Sequence, residues 1–157
     1  MRFDIKLQEA KQAISIPSFK RDDLLTIALT DPSDLNHTKI PKPEREHLES
    51  VYRRLAFLGD ALFDSVLADY LLSINQDLTK KNFDDWRQEI ASKESLTEFA
   101  IDLGLPNFSS SWNKRNQRKP IEEPRRWAEM FEAVVGVVFL DGDRDFIKLS
   151  LSTGQKL

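Results

Sequence analysis

Cysteine is absent from this 157-residue chain, which excludes a disulfide framework, a thiolate nucleophile and a zinc–thiolate centre. Histidine is almost absent: His37 and His47 are the only two, and neither has a neighbour at metal-motif spacing. Any metal must therefore sit on carboxylates or on these two, and surface positions are the ordinary role for both. Long apolar runs are missing as well. The longest, Ala133 to Leu140, falls far short of the roughly 20 residues that cross a bilayer. The start, Met1-Arg2-Phe3-Asp4-Ile5-Lys6, alternates charged and apolar residues and has no signal-peptide core. These absences leave a cytoplasmic protein with no membrane partner as the simplest expectation.

What is present suits a packed core. Ten Phe, three Trp and two Tyr within a 40% hydrophobic composition argue against disorder. A chain of this size can bury roughly 70% of the surface its unfolded form exposes, so residues 1–157 are expected to make one domain. The net charge of −3 argues against a uniformly basic coat, but local patches average away in such a sum.

Periodicity predicts helices throughout. Residues 1–16 suggest an amphipathic N-terminal helix ending at Pro17, and Asp22 to Leu29 a second one, opened by acidic residues. Residues 34–43 read as a loop. A long helix is expected from Glu44 to Ile74, with a bend near Gly59. Leu48, Val51, Leu55, Leu58, Leu62, Val66 and Leu72 line one stripe of it, which Phe57 and Phe63 widen beyond the need of an exposed helix. Further helices are expected at 83–91, 93–103, 125–140 and 145–151, with a long surface loop at 106–124. No strand, repeat or low-complexity tract is evident. The fold class is all-α.

Two charged constellations stand out. Glu129 and Glu132, three residues apart on an apolar helix, project from nearly the same face, and Asp60 is likewise embedded among apolar residues. Buried carboxylates are costly unless paired or bound to a cation. Together they would suit Mg²⁺; alternatively they pair with Arg53, Arg54, Arg87 or Arg126 in structural salt bridges. The second constellation is basic. Lys114, Arg115, Arg118, Lys119, Arg125 and Arg126 follow Trp112 and Asn113, a grouping that suits RNA phosphates and ribose hydroxyls as well as it suits a solvated loop.

The segment Arg54-Leu55-Ala56-Phe57-Leu58-Gly59-Asp60-Ala61-Leu62 resembles the signature helix of the ribonuclease III family, endonucleases that cut double-stranded RNA. Leu24 to Ser33 is similar to the family's N-terminal "LL..ALTH.S" segment. Ser92 to Leu105 is similar to "S...L...A..LGL", and Ala128 to Asp141 to the "AD..EA.IGA.YLD" helix. The four stretches occur in the family's order and cover most of residues 19 to 143.

The resemblance implies an all-helical nuclease domain that forms a homodimer through the signature helix, with Phe57 as an aromatic knob entering a socket on the second subunit and Leu58 beside it. It implies Mg²⁺-dependent phosphodiester hydrolysis of double-stranded or structured RNA, Mn²⁺ being an alternative ion. Asp60 and Glu132 match the family's metal-site acids, and Glu129 stands where an Asp is usual. Departures accompany the match: Ala56 replaces a signature Glu, Arg53 replaces another acid, and Asp31 stands at the "ALTH" histidine. The short "mini" members of the family also carry a small residue at the Ala56 place and are nucleases. The chain leaves no room for the family's C-terminal RNA-binding domain, so RNA affinity is expected from the nuclease domain, with Lys114, Arg115, Arg118 and Lys119 as an extra grip. The expected function is a cytoplasmic endoribonuclease, with ribosomal RNA precursors among candidate substrates. The competing expectation is a catalytically impaired relative that binds RNA or assists ribosome assembly. Ala56 and Arg53 speak for it, and the joint presence of Asp60, Glu129 and Glu132 against it.

Overall fold

A computed structural model of the chain describes residues 6–15, 19–109 and 123–142. Among them are eight helices and no strand: α1 (Leu7–Ile14), α2 (Asp22–Ala28), α3 (Pro32–Leu35), α4 (Lys42–Ile74), α5 (Lys80–Ile90), α6 (Lys93–Asp102), α7 (Leu105–Phe108) and α8 (Pro124–Asp141). The architecture is all-α, as the periodicity predicts. No helix among the described residues is long and apolar enough to cross a membrane.

The centre of the fold is α8. Ten of its 18 residues are buried, including Trp127, Met130, Ala133, Val134 and Val137, because its sequence is apolar on nearly every face. It packs most extensively on α4, then on α6, and more lightly on α2. The rings of Phe63, Phe99 and Phe131, from α4, α6 and α8, meet with centroids 5.7 to 6.0 Å apart, an aromatic joint that fixes three helices relative to one another.

Polar contacts set the ends of the elements. The side chain of Thr79 accepts from the Asn82 amide at the start of α5, and that of Ser92 accepts from the Ser95 amide at the start of α6, satisfying donors a helix N-terminus leaves open. At the far end of α8, one oxygen of Asp141 accepts the amide N–H groups of Lys20 and Arg21, at 2.7 and 2.6 Å, tying the last turn of α8 to the entry of α2. Near its beginning, Arg126 donates to Asp34 at 2.9 Å and faces Asp31 at 3.7 Å. Asp31 also accepts from the Ser33 amide that opens α3, so the residue at the "ALTH" histidine place caps a helix here.

Several boundaries differ from those expected. The N-terminal helix ends at Ile14, where Ser15 turns into the left-handed region at φ 59°, before Pro17 is reached. Within the expected 34–43 loop, Leu35 ends α3 and Lys42 already begins α4, with Pro43 in its first turn. A proline is tolerated there because its missing N–H would have no helical partner. The fifth helix begins at Lys80 rather than Phe83, and the short α7 runs into the region expected as loop, taking its residues 106–108. The helix expected at 145–151 lies outside the described residues.

The expected bend at Gly59 gives way to a close approach. The α4 helix runs unbroken from Lys42 to Ile74, and a Cβ built on Gly59 would lie 1.7 Å from the backbone oxygen of Glu132. Reciprocally, a Cβ on Gly136 would lie 2.3 Å from the backbone oxygen of Leu55. The two helices cross backbone to backbone, and this crossing places Asp60 beside Glu132.

Candidate active site

A cavity of about 230 Å³ opens where α4 crosses α8. Its carboxylates are Asp60, Glu129 and Glu132, its cations Arg53, Lys93 and Arg125, and its apolar wall Ala56, Phe57 and Ala128. All three acids anticipated for a metal site therefore face one cavity, but they do so in different states.

Among the described residues Glu132 makes no side-chain hydrogen bond or ion pair, and its carboxyl is pushed up from 4.5 to about 7 by burial first and then by the negative charges of Asp60 and Glu129, with Lys93 opposing. Burial also raises Asp60, followed by repulsion from Asp64, with Arg87 pulling the other way. A carboxylate whose ionisation is disfavoured by another across a helix crossing makes a site in need of positive charge. Glu129 differs, since it accepts a hydrogen bond from Arg53 in a close ion pair. A second ion pair joins Arg87 of α5 to Asp64 of α4. The structural salt bridges weighed from sequence thus form at Glu129, while Asp60 and Glu132 have none among the described residues.

Hard oxygen donors, partly dehydrated and lacking a neutralising base, fit a divalent cation such as Mg²⁺. The fit concerns Asp60 and Glu132 foremost. Among the described residues no group of three or more Asp, Glu or His side chains stands ready to hold one ion, and Glu129 is drawn instead toward Arg53. Both histidines are exposed, His37 after α3 and His47 on α4. Lys114, Arg115, Arg118 and Lys119 lie outside the described residues. Lys93 escaped the sequence reading: as the first residue of α6 it carries no local signal, and only the packing of α6 on α8 brings it to the cavity.

Beside the cavity, the Phe57 ring is 79% exposed, an unusual position for a large apolar side chain on the longest helix. Leu58 next to it is partly buried.

The raised Glu132 carboxyl gives stability an inverted pH dependence. Between 4.5 and about 7 the folded protein holds a proton that the unfolded chain has released, so stability gains as pH falls through that window and is lost as pH rises through about 7. Allowing for solvent screening of a group that is only partly buried, the effect is on the order of 1 kcal/mol, or roughly 3 °C in Tm. Thermal melts in EDTA should show a higher Tm near pH 5.5 than near pH 7.5, and Glu132→Gln should flatten the difference.

A model of the Ribonuclease III domain matches residues 53–143. Ribonuclease 3 of Bdellovibrio bacteriovorus is 32% identical over 134 residues, which is 83% of this chain and 54% of that protein. Ribonuclease 3 of Lactococcus lactis subsp. cremoris is 27% identical over 144 residues, 92% of this chain and 60% of that protein. The chain thus spans little more than half the length of these curated relatives. In three dimensions it is similar to the nuclease domain of ribonuclease III from Campylobacter jejuni, with a TM-score of 0.71 at 24% identity, covering 96% of this chain and 94% of that one. That structure is described as showing flexibility in a region involved in its dimer formation.

Proposed function

Since this chain belongs to the ribonuclease III family, we propose that it is an endoribonuclease that hydrolyses phosphodiester bonds of double-stranded or structured RNA in the cytoplasm. Ribosomal RNA precursors are candidate substrates. The observation that carries this reading is the placement of Asp60 and Glu132 at a backbone-to-backbone helix crossing, in a cavity rimmed by cations.

Asp60 and Glu132 would hold Mg²⁺, or Mn²⁺ in its place, and Glu129 completes the acidic side of the cavity. Such an ion supplies positive charge as negative charge grows on the departing 3′ oxygen. Asp60 and Glu132 are pre-positioned by the helix backbones, so little reorganisation is needed to bring them together. Lys93 and Arg125 lie where they can face the RNA backbone. Lys114, Arg115, Arg118 and Lys119 provide the additional grip expected from the sequence, and their contribution should weaken as salt rises.

The working unit in this reading is a homodimer. Phe57 is exposed and also borders the cavity, so an interface built on it would adjoin the site. Burying such a ring at the centre of an interface contributes about 2 kcal/mol or more. Phe57→Asp should therefore shift the protein toward monomer in sedimentation-velocity runs while its helical content stays unchanged. An unaltered sedimentation coefficient would remove Phe57 from the interface.

The function is tested by incubating pure protein with duplex RNA, with and without Mg²⁺. Cleavage only with the ion supports the reading. Salt-dependent binding without cleavage under both conditions would replace it with a non-catalytic RNA-binding role.

A further inference from the structure

One cation of the cavity has an environment that the metal-site reading leaves unexplained. Arg53 lies on α4, three residues before Ala56. Its Nη1 donates to Glu129 across the gap between α4 and α8, and its Nη2 donates to Glu49 at 3.3 Å, one turn back on its own helix. A guanidinium has five N–H donors in a fixed planar fork, and the hydrogen bonds to these two carboxylates engage only part of it. The side chain remains 49% exposed and lines the cavity with Asp60 and Glu132. Ala56 presents only a methyl group to the same wall, and the guanidinium carbon lies 5.9 Å from the centre of the Tyr52 ring.

Charge matching gives the remaining donors a purpose. A divalent ion would satisfy Asp60 and Glu132, while Arg53 with Glu49 and Glu129 carries one net negative charge. Lys93 and Arg125 then leave the cavity with surplus positive charge that faces solvent. The complement of such a surface is a singly charged phosphodiester, and a planar guanidinium already oriented by two carboxylates is suited to hold one of its oxygens.

We propose that Arg53 contacts a phosphate of the bound RNA, and that Glu129 is the residue that positions it. This rests on the RNA-hydrolase reading above, and it assigns Glu129 to act through Arg53 rather than through the metal. A plain structural tie between helices would need the Arg53–Glu129 bond and nothing from the rest of the fork.

The test is binding of a duplex RNA of about 20 base pairs by fluorescence anisotropy in EDTA, over a series of KCl concentrations. Arg53→Ala should raise Kd about 5-fold and lower the slope of log affinity against log salt by about one phosphate contact. Arg53→Lys should keep the slope. Arg53→Gln retains an N–H donor for Glu129 but no charge, so it should lower the slope by the same one contact while keeping the tie between the helices. It therefore remains informative even if Arg53→Ala folds poorly. Wild-type Kd and slope in Arg53→Gln would overturn the proposal while leaving the RNA reading intact. No salt-dependent binding by the wild type would overturn both.

Discussion

Replacing Gly59 by alanine is expected to cost about 3 kcal/mol or more and to lower Tm by roughly 10 °C. The added Cβ would sit 1.7 Å from the backbone oxygen of Glu132, which belongs to a central, largely buried helix and cannot rotate aside. Relief requires α4 and α8 to move apart, loosening the contacts of Leu55, Ala56 and Phe131 in the core. Gly136→Ala should act in the same way, since its Cβ would meet the backbone oxygen of Leu55 at 2.3 Å. Because one separation of the helices relieves both clashes, the double variant should cost clearly less than the two single losses added together. Urea and thermal unfolding of the three variants measure this directly. A loss below about 1 kcal/mol for Gly59→Ala would show that the helices slide past one another at low cost.

The second large effect joins two measurements that usually move together. Asp60→Asn and Glu132→Gln should each reduce Mg²⁺-dependent RNA cleavage by about 100-fold or more, since each removes a charge from a pre-organised electrostatic site. Glu132→Gln should at the same time raise the Tm of the ion-free protein above pH 7. Its carboxyl is held near 7 by burial and by Asp60 and Glu129, so at that pH the ionised form opposes folding, and a neutral amide of similar shape does not. A residue that costs stability and whose removal costs activity is the pattern of a functional site. Full cleavage by either variant would displace that residue from the site, and an unchanged Tm for Glu132→Gln would mean that the carboxyl is better solvated than its surroundings indicate.

How far these properties were legible in the sequence depended on whether they were local. The stripe from Leu48 to Leu72 and the largely apolar stretch from Trp127 to Leu140, interrupted by Glu129 and Glu132, announce α4 and α8, because helical periodicity is written residue by residue. Their starts fall one or two residues earlier than expected, since Pro43 and Pro124 each lie in the first turn of the helix. Gly59 suggested a bend because a lone glycine within a helix has no visible neighbour, and its reason is a second helix more than 70 residues later. The acids were recognisable as unusual from their apolar flanks. Which of four arginines would meet which acid was not, since Arg53 and Glu129 are separated by 76 positions and their meeting depends on how α4 crosses α8.

The central placement of α8 has a consequence for how the domain can be made. It is the last of the described helices, yet α2, α4 and α6 all pack on it. On a ribosome, the face of α4 that meets α8 stays bare until residues 124 to 141 follow, since α2, α3 and α5 pack on α4 only lightly. At about 5–20 residues per second, the stretch from Ile74 to Asp141 takes roughly 3–13 s to synthesise. During that interval the apolar faces of the earlier helices are open to chaperones or to one another, and the acids Asp60 and Glu132 first meet only when it ends.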